Sequence, residues 1–334
     1  MNILAEHVSG TDPAGAAALL GYAAPVELER FQGLEDGLWE RASLGPAVLE
    51  CVRLRSARIR GCRFCAGVRV SAAFDDGLAE EQLDHLDDPS ERDVLSREQR
   101  GALHLVDRYL LDPRRPGAYD RIDLADVLGS RGVVEVLVAC GVFASADLRI
   151  ALGENAPPVG SGRVERRDPG TRPGSVGADW PHLTGPIVVP GPGVPHLDDE
   201  TARLLAGLRG FLWDGQDLPD ALIAACVVRA AQLLGVGHAD PGYPLMVPPE
   251  VERQAPAADV AAWTDLATGL RRDVLALGEQ LWLDPSGVDD ALTQPLVNQL
   301  STAGVIRTAW KLIWIGQLHR IAAVLVADGE PTTG

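Results

Sequence analysis

"LGPAVLECVRLRSARIRGCRFCAGVRVSAAFDDGL", residues 44–78, joins an apolar run of helical period to a pair of cysteines. Apolar residues recur at three- and four-residue spacing over 46–60, which predicts an amphipathic helix. Gly61 offers a break, so that Cys62 falls near the first turn of a second helix, which we expect to end at Gly77. The stretch therefore predicts two consecutive helices with the cysteine pair at their junction.

The same helical period recurs along the rest of the chain, without a series of strand-and-turn signals. Ser96 and Gln99 form a capping-box pair at the start of one helix, and the Asp-Pro pair at 112–113 ends it. The run VEVLVACGVF at 134–143 continues beyond the length of a strand, which favours a buried helix. We therefore predict an all-α fold, a helical bundle with apolar helical segments over 46–60, 96–111, 133–152, 218–234, 259–283 and 302–326.

A segment at 154–196 interrupts this pattern with nine prolines and eight glycines. It predicts a linker or an extended surface segment between an N-terminal domain, 15–153, and a C-terminal domain, 197–326. The two domains resemble tandem copies, because LRSARIRGCRFC at 54–65 overlays VRAAQLLGVGHA at 228–239 at an offset of 174 residues. Under that overlay the second copy is degenerate, since it has lost both cysteines and the other reactive groups.

The composition limits the partners and the compartment. A formal net charge of −17 argues against nucleic acid and anionic membranes as partners. The chain has no apolar run long enough to span a membrane and no secretory signal at its start, so we expect a cytoplasmic protein. No dinucleotide fingerprint and no P-loop occur, so we predict no cofactor and expect electrons to come from a partner. The five cysteines, an odd and low count that fits a reducing compartment, are Cys51, Cys62, Cys65, Cys140 and Cys226.

Three interpretations of the cysteine pair are open. A structural zinc site needs four ligands, usually in two close pairs, and the chain has one CxxC with no second pair. Two cysteines at this spacing could also simply pack as small apolar residues. A position at a helix start instead favours a thiolate, and the spacing of three lets the sulfurs of Cys62 and Cys65 form a disulfide. We favour the redox-active pair, with no metal.

Two charged residues, Arg69 and Glu50, could lie close to the cysteine pair. Arg69 lies four residues after Cys65 and seven after Cys62, so a continuous helix would place all three on one face. Its guanidinium could favour a thiolate or hold a substrate carboxylate. Glu50 lies in the preceding helix, and a turn could bring it back beside the dithiol as a general base.

The stretch 44–78 resembles the signature of the carboxymuconolactone decarboxylase / alkylhydroperoxidase-D superfamily. That signature has a glutamate, an Arg- and Ala-containing stretch, Gly-Cys-x-x-Cys and a histidine four residues later. LSREQRGALHLVDRYL at 95–110 and VVEVLVACGVFASADLRIALG at 133–153 resemble the later helices. The resemblance implies an all-α bundle that assembles into homo-oligomers, and for a chain with two copies we expect a trimer.

The resemblance also implies roles. In peroxidase members the second cysteine attacks the peroxide, the first resolves the sulfenic acid, and the glutamate and histidine relay protons. By position this implies Cys65 as peroxidatic, Cys62 as resolving and Glu50 as base, while Arg69 occupies the histidine position. Arginine remains charged at any relevant pH and cannot relay the proton.

The sequence thus predicts a thiol-dependent oxidoreductase that uses the CxxC pair for hydroperoxide reduction or dithiol/disulfide exchange. Its partners would be a dithiol electron donor and a small-molecule substrate. One alternative is a redox-silent lyase or tailoring enzyme on a small acidic metabolite, with Glu50 as acid/base and Arg69 holding a carboxylate. The other is a non-catalytic binding protein, which the degenerate second copy would suit.

Overall fold

Almost every residue placed in the structure belongs to a helix or to a turn between helices, which confirms the all-α class. None of the helices in the described parts of the chain is long and apolar enough to cross a membrane. The structure is a computed structural model, and it describes residues 15–87, 94–111, 113, 121–157, 163–164, 207, 210–235 and 269–327.

The described elements before residue 200, called here the N-terminal half, are nine helices and a two-stranded parallel sheet. In chain order they are α1 (Gly15–Ala23), α2 (Pro25–Arg41), α3 (Pro46–Arg60), α4 (Arg63–Gly67), β1 (Arg69–Val70), α5 (Ser71–Asp75), α6 (Glu80–Leu83), α7 (Arg97–Leu111), α8 (Arg121–Val142), α9 (Ser145–Ala151) and β2 (Arg163–Val164).

The described elements after residue 200, called here the C-terminal half, include three long helices and one short 3₁₀ helix. They are α10 (Asp220–Leu234), α11 (Leu270–Leu283), the 3₁₀ helix Pro285–Gly287 and α12 (Asp290–Ala327). Of the predicted linker at 154–196, only 154–157 and 163–164 fall within the described residues. The predicted helical segment at 259–283 is described from residue 269 onward, where it contains α11.

Local signals fix several helix ends. Pro46 occupies the first turn of α3, and Gly61 ends that helix in the left-handed conformation with φ 76°, which glycine adopts without steric cost. The predicted capping box at the start of α7 is confirmed, because Ser96 Oγ accepts from the Gln99 N–H and Gln99 Oε1 accepts from the Ser96 N–H. The predicted continuous helix over 133–152 is wrong in one respect, since the chain breaks it between α8 and α9.

One apolar core joins the two halves. The second part of α12 is buried on nearly all sides, and the helix as a whole packs against α1, α7, α8, α9, α10 and α11. Trp310 meets the ring of Phe31 edge-on at a centroid distance of 5.3 Å, and Trp310 and Trp314 stack edge-on at 5.9 Å. Because aromatic side chains bury large apolar areas, the Phe31–Trp310 contact contributes to the packing between the halves.

Two contacts recur at nearly the same sequence offset in both halves. Arg55 of α3 binds Asp107 of α7 at 2.7 Å, and Arg229 of α10 binds Glu279 of α11 at 2.6 Å. The loop before α3 is held from α8, where Glu135 accepts from the Ser43 amide. The loop before α10 is likewise held from α12, where Arg307 binds Asp217.

The backbone conformations recur as well. α10 ends at Gly235 in the left-handed conformation, as α3 does at Gly61. α8 bends at Gly129, with φ 69° and ψ 157°, and α12 bends at Ser301, with φ 67° and ψ 166°. The separation between Gly129 and Ser301 is within two residues of the 174-residue offset that relates Gly61 to Gly235.

Candidate functional site

The cysteine pair lies in the turn between α3 and α4. Cys62 is the N-cap residue of α4, and its sulfur is disulfide-bonded to Cys65, with the two Cα atoms 5.3 Å apart. The backbone N–H of Cys65 also donates to Cys62 Sγ at 3.2 Å. The prediction that this spacing brings the two sulfurs together is therefore confirmed.

The two cysteines differ in exposure. Cys62 is fully buried, in an apolar cluster with Ala57 of α3 and Ala146 and Ile150 of α9. Cys65 is only partly buried at the edge of the same cluster. A reagent approaching from solvent therefore meets Cys65 first.

Arg69 does not share a helix face with the cysteines, and that prediction is wrong. α4 ends at Gly67, and the chain runs extended through Val68 into β1 before a new helix begins at Ser71. The helix predicted to run on to Gly77 is therefore two short helices with a strand between them. The Val70 N–H donates to the Glu50 carboxylate instead of to a helix carbonyl, which takes it out of any α-helical ladder.

The Arg69 guanidinium folds back on its own segment. Its Nη1 donates to the carbonyls of Ala66 at 2.7 Å and Val68 at 3.1 Å, and its Nε lies 3.6 Å from a carboxylate oxygen of Glu80. Through Nη1, Arg69 ties the end of α4 to β1, while its buried Nε has no hydrogen-bond partner among the described residues.

Glu50 is fully buried in α3 and lies beside the cysteine segment, as the sequence suggested. Its carboxylate receives Nε and Nη2 of Arg53, both at 2.7 Å, and the Val70 N–H at 3.1 Å. A buried carboxylate needs such compensation, and Arg53 supplies it in the bidentate geometry that arginine favours. The Glu50 carboxylate thus binds a guanidinium group and a backbone amide.

Arg53 is the central residue that the sequence analysis missed. Its Nη1 donates to the Cys65 carbonyl at 2.8 Å and its Nη2 to the Val68 carbonyl at 2.6 Å. Glu50 and Arg53 stand at i and i+3 of one helix, a spacing at which opposite charges pair, and that was the available signal. The pair anchors the inner side of the segment that carries Cys65.

The outer side of the turn is held by Asn155, which the sequence analysis also missed. Its Oδ1 accepts from the Arg63 N–H at 2.6 Å, and its Nδ2 donates to the Gly61 carbonyl at 2.9 Å. Further on, β2 pairs in parallel with β1, placing Arg163 opposite Arg69. The start of the proline- and glycine-rich segment is thus attached on both sides of the cysteines.

A buried polar network lies behind the turn. Arg60, the last residue of α3, forms a buried ion pair with Asp147 of α9. Gln317 of α12 accepts from Arg60 Nη2 at 3.0 Å and from the Tyr109 hydroxyl at 2.9 Å. Arg320, one turn further along α12, donates to the carbonyl of Leu110 in α7 at 3.1 Å and to that of Trp282 in α11 at 3.3 Å.

The other three cysteines are buried and unsuited to thiol chemistry. Burial raises the pKa of Cys140 and of Cys226 to about 12, and burial together with the Glu50 carboxylate raises that of Cys51 to about 12. Because the thiolate is the reactive form, these thiols are unreactive near neutral pH. Among the five cysteines, the Cys62–Cys65 pair is therefore the remaining candidate for thiol chemistry.

Among the residues that the structure places, no group of three or more histidine, cysteine, aspartate or glutamate side chains is arranged to hold a metal ion. Searches of protein-family models, curated proteins and solved structures return no match to this chain. The functional argument therefore rests on the site itself.

Proposed function

We propose that the protein is a thiol-dependent oxidoreductase in which Cys62 and Cys65 cycle between a disulfide and a dithiol. The observation that carries the proposal is the asymmetry of the pair. Cys65 is the sulfur reachable from solvent, while Cys62 is buried and accepts a hydrogen bond from the Cys65 N–H. Cys65 Sγ is therefore suited to be attacked by a donor thiolate, and Cys62 Sγ is suited to be the leaving group.

In the reductive half-reaction, the thiolate of a dithiol donor attacks Cys65 Sγ, and the S–S bond breaks with its electron pair on Cys62 Sγ. The N–H that already donates to that sulfur stabilises the leaving thiolate. The second thiol of the donor then attacks the donor sulfur of the mixed disulfide, releasing Cys65 as a thiolate. The donor leaves as a disulfide, and two electrons have reached the pair.

In the oxidative half-reaction, the Cys65 thiolate attacks the terminal oxygen of a hydroperoxide, and the O–O bond breaks. The alcohol leaves after taking up one proton, and Cys65 is left as a sulfenic acid. Cys62 attacks that sulfur, hydroxide leaves and is protonated to water, and the disulfide is restored. A disulfide substrate would oxidise the same pair through a mixed disulfide with Cys65.

Glu50 and Arg69 contribute to this proposal by holding the segment in place. The oxygens of Glu50 bind Arg53 and Val70, and the Nη1 of Arg69 binds backbone carbonyls. A lyase that used Glu50 as its acid/base would need that carboxylate released from Arg53 and Val70. The geometry therefore supports the redox function over the lyase alternative.

We further propose that the two halves are tandem copies of an alkylhydroperoxidase-D-like bundle. The recurring ion pairs Arg55–Asp107 and Arg229–Glu279 support this, as do the matching left-handed caps at Gly61 and Gly235. At the offset of 174 residues, Val236 and Ala239 replace the cysteines. The second copy would then serve as a scaffold for the first.

The test is turnover of tert-butyl hydroperoxide, and separately of a small aromatic disulfide, with dithiothreitol as donor. We expect Cys65→Ser to abolish turnover. When the donor is withheld, Cys62→Ser should consume one equivalent of oxidant and stop, with Cys65 as a sulfenic acid after the hydroperoxide or as a mixed disulfide after the aromatic disulfide. Cys226→Ala removes a buried thiol away from the pair and is the matched control. Full activity in a protein lacking both Cys62 and Cys65 would rule out the proposal.

A further inference from the structure

We propose that Asn155 is a positioning residue that holds the cysteine turn in its disulfide-forming conformation and so sets how readily the pair is reduced. This inference rests on the proposed redox function of Cys62 and Cys65. It assigns a task to the first residues of the proline- and glycine-rich segment, which otherwise would only connect the two halves.

The side-chain amide of Asn155 forms hydrogen bonds with the two peptide units that flank Cys62. Its oxygen binds the Arg63 N–H, which follows Cys62, and its nitrogen binds the Gly61 carbonyl, which precedes it. A single planar amide can make both hydrogen bonds only while those two backbone groups face the same way. The contact therefore selects one conformation of the backbone around Cys62.

The position of Asn155 is itself fixed. The chain reaches it directly from α9, and Gly153 ends that region with φ 76° and an N–H that donates to the Ile150 carbonyl. Ile150 packs in the same cluster as Cys62. The next residue, Glu154, lies with a carboxylate oxygen 3.5 Å from Arg149 of α9. Asn155 is thus presented to the turn by the helix against which Cys62 is buried.

The turn is held from its other side as well. Arg53 binds the carbonyls of Cys65 and Val68 from within α3. Arg53 thereby restrains the backbone at Cys65, whereas Asn155 restrains the backbone on either side of Cys62. Removal of Asn155 leaves the inner restraint in place, so that the effect of the variant is confined to the Cys62 side of the pair.

The Asn155 contact should shift the equilibrium between the disulfide and the dithiol. A disulfide forms readily when the backbone keeps two sulfurs at bonding separation, and reduction lets them move apart. A contact that favours the closed backbone stabilises the disulfide relative to the dithiol. By linkage, reduction of the pair must weaken the Asn155 contact by the same factor.

The experiment is the equilibrium of the full-length protein with reduced and oxidised dithiothreitol, in which one dithiothreitol gives two electrons and closes to its cyclic disulfide. We expect Asn155→Ala to raise the equilibrium constant for reduction about three- to tenfold, the range that one or two net hydrogen bonds provide. Asn298→Ala is the matched control, since Asn298 is exposed on α12 and its side chain accepts a hydrogen bond from Gln294 of the same helix. We expect it to match the parent protein.

A second readout separates positioning from general stability. Amide exchange at Arg63 should be slower in the oxidised parent than in the reduced parent, and Asn155→Ala should remove that difference. If Asn155→Ala folds poorly, Asn155→Asp keeps the acceptor for Arg63 and loses the donor to Gly61, and should raise the constant as well. If the parent pair cycles between disulfide and dithiol but both variants have the parent's equilibrium constant for reduction, the role of Asn155 is wrong and the proposed function stands. If the parent pair does not cycle, the proposed function is wrong as well.

Discussion

Glu50 and Arg53 form a buried bidentate ion pair one turn apart in α3, and the same guanidinium holds the carbonyls of Cys65 and Val68. The segment that carries Cys65 is therefore held to α3 by hydrogen bonds to a charged group. Such bonds are among the stronger ones in proteins when they are screened from water. This arrangement explains why α4 can end after five residues without the turn losing its shape.

Glu50→Gln should strongly destabilise the protein, because it leaves the charge of Arg53 buried without its counterion. We expect a loss of about 3–5 kcal/mol in the free energy of unfolding, measured by urea denaturation. The matched control is Arg58→Ala, which removes a pair with Asp87, a residue that is 58% exposed. That change should cost less than about 1 kcal/mol. Equal effects in the two variants would contradict a structural role for the Glu50–Arg53 pair.

Alkylation should distinguish Cys65 from every other cysteine. In the reduced native protein we expect iodoacetamide to modify Cys65 first and Cys62 much more slowly, because Cys62 is fully buried. Cys51, Cys140 and Cys226 should remain unmodified at pH 8, since pKa values of about 12 leave almost no thiolate. Peptide mass spectrometry gives the order, and all five should react in denaturant. Early labelling of Cys140 or Cys226 would show that the core opens.

Stability should fall steeply above pH 9. Burial raises the pKa of Cys226 from 9.0 to about 12, so in the unfolded chain this thiol ionises at a pH where the folded protein keeps it neutral. The stabilisation is fully present below pH 9 and is lost as the pH rises toward 12, by about 1.4 kcal/mol per pH unit for each such thiol.

Cys226→Ala tests this slope. The variant should be less stable than the parent protein at pH 8 because it leaves a small cavity, yet its stability should decline less steeply between pH 9 and pH 11. Urea denaturation at each pH, with a phosphine reductant present, measures the difference. Parallel declines would mean that the thiol is accessible to water in the folded protein.

Ser301→Gly should stabilise the protein. Ser301 has φ 67° and ψ 166°, a backbone region that is essentially reserved for glycine, and Gly129 adopts nearly the same angles at the bend of α8. We expect a gain of about 1 kcal/mol after loss of the hydrogen bond from the Gly304 N–H to Ser301 Oγ. Gly129→Ala is the reciprocal variant and should lower the melting temperature. A fall in both would show that the Ser301 hydroxyl outweighs the backbone strain.

Helices whose ends are marked by neighbouring residues could be predicted from the sequence. Pro46 and Gly61 bound α3, and Ser96 and Gln99 begin α7 through contacts within three residues of each other. These signals act locally and do not depend on the rest of the fold. Glu50 could be placed near the cysteines for the same reason, since only one helix and one turn separate them.

The break after Gly67 could not be predicted, because its cause is not local. The apolar spacing of the following residues fits a continuing helix, but Glu50 takes the Val70 N–H and Arg53 takes the Val68 carbonyl. Asn155 was harder still, since it binds Arg63 across 92 residues of chain. Side chains with several hydrogen-bonding positions can override helical periodicity, and only the tertiary structure shows which positions they choose.

Arg320 and Gln317 make the cysteine-bearing half dependent on the end of the chain. A fragment cut after Gly153 would retain Cys62 and Cys65, yet Arg60 and Tyr109 would lose Gln317, and α7 would lose the guanidinium that binds its last carbonyls. Engineers who wished to shorten this protein to the part that carries the cysteine pair, or to move the pair into another scaffold, would have to keep α12 with it.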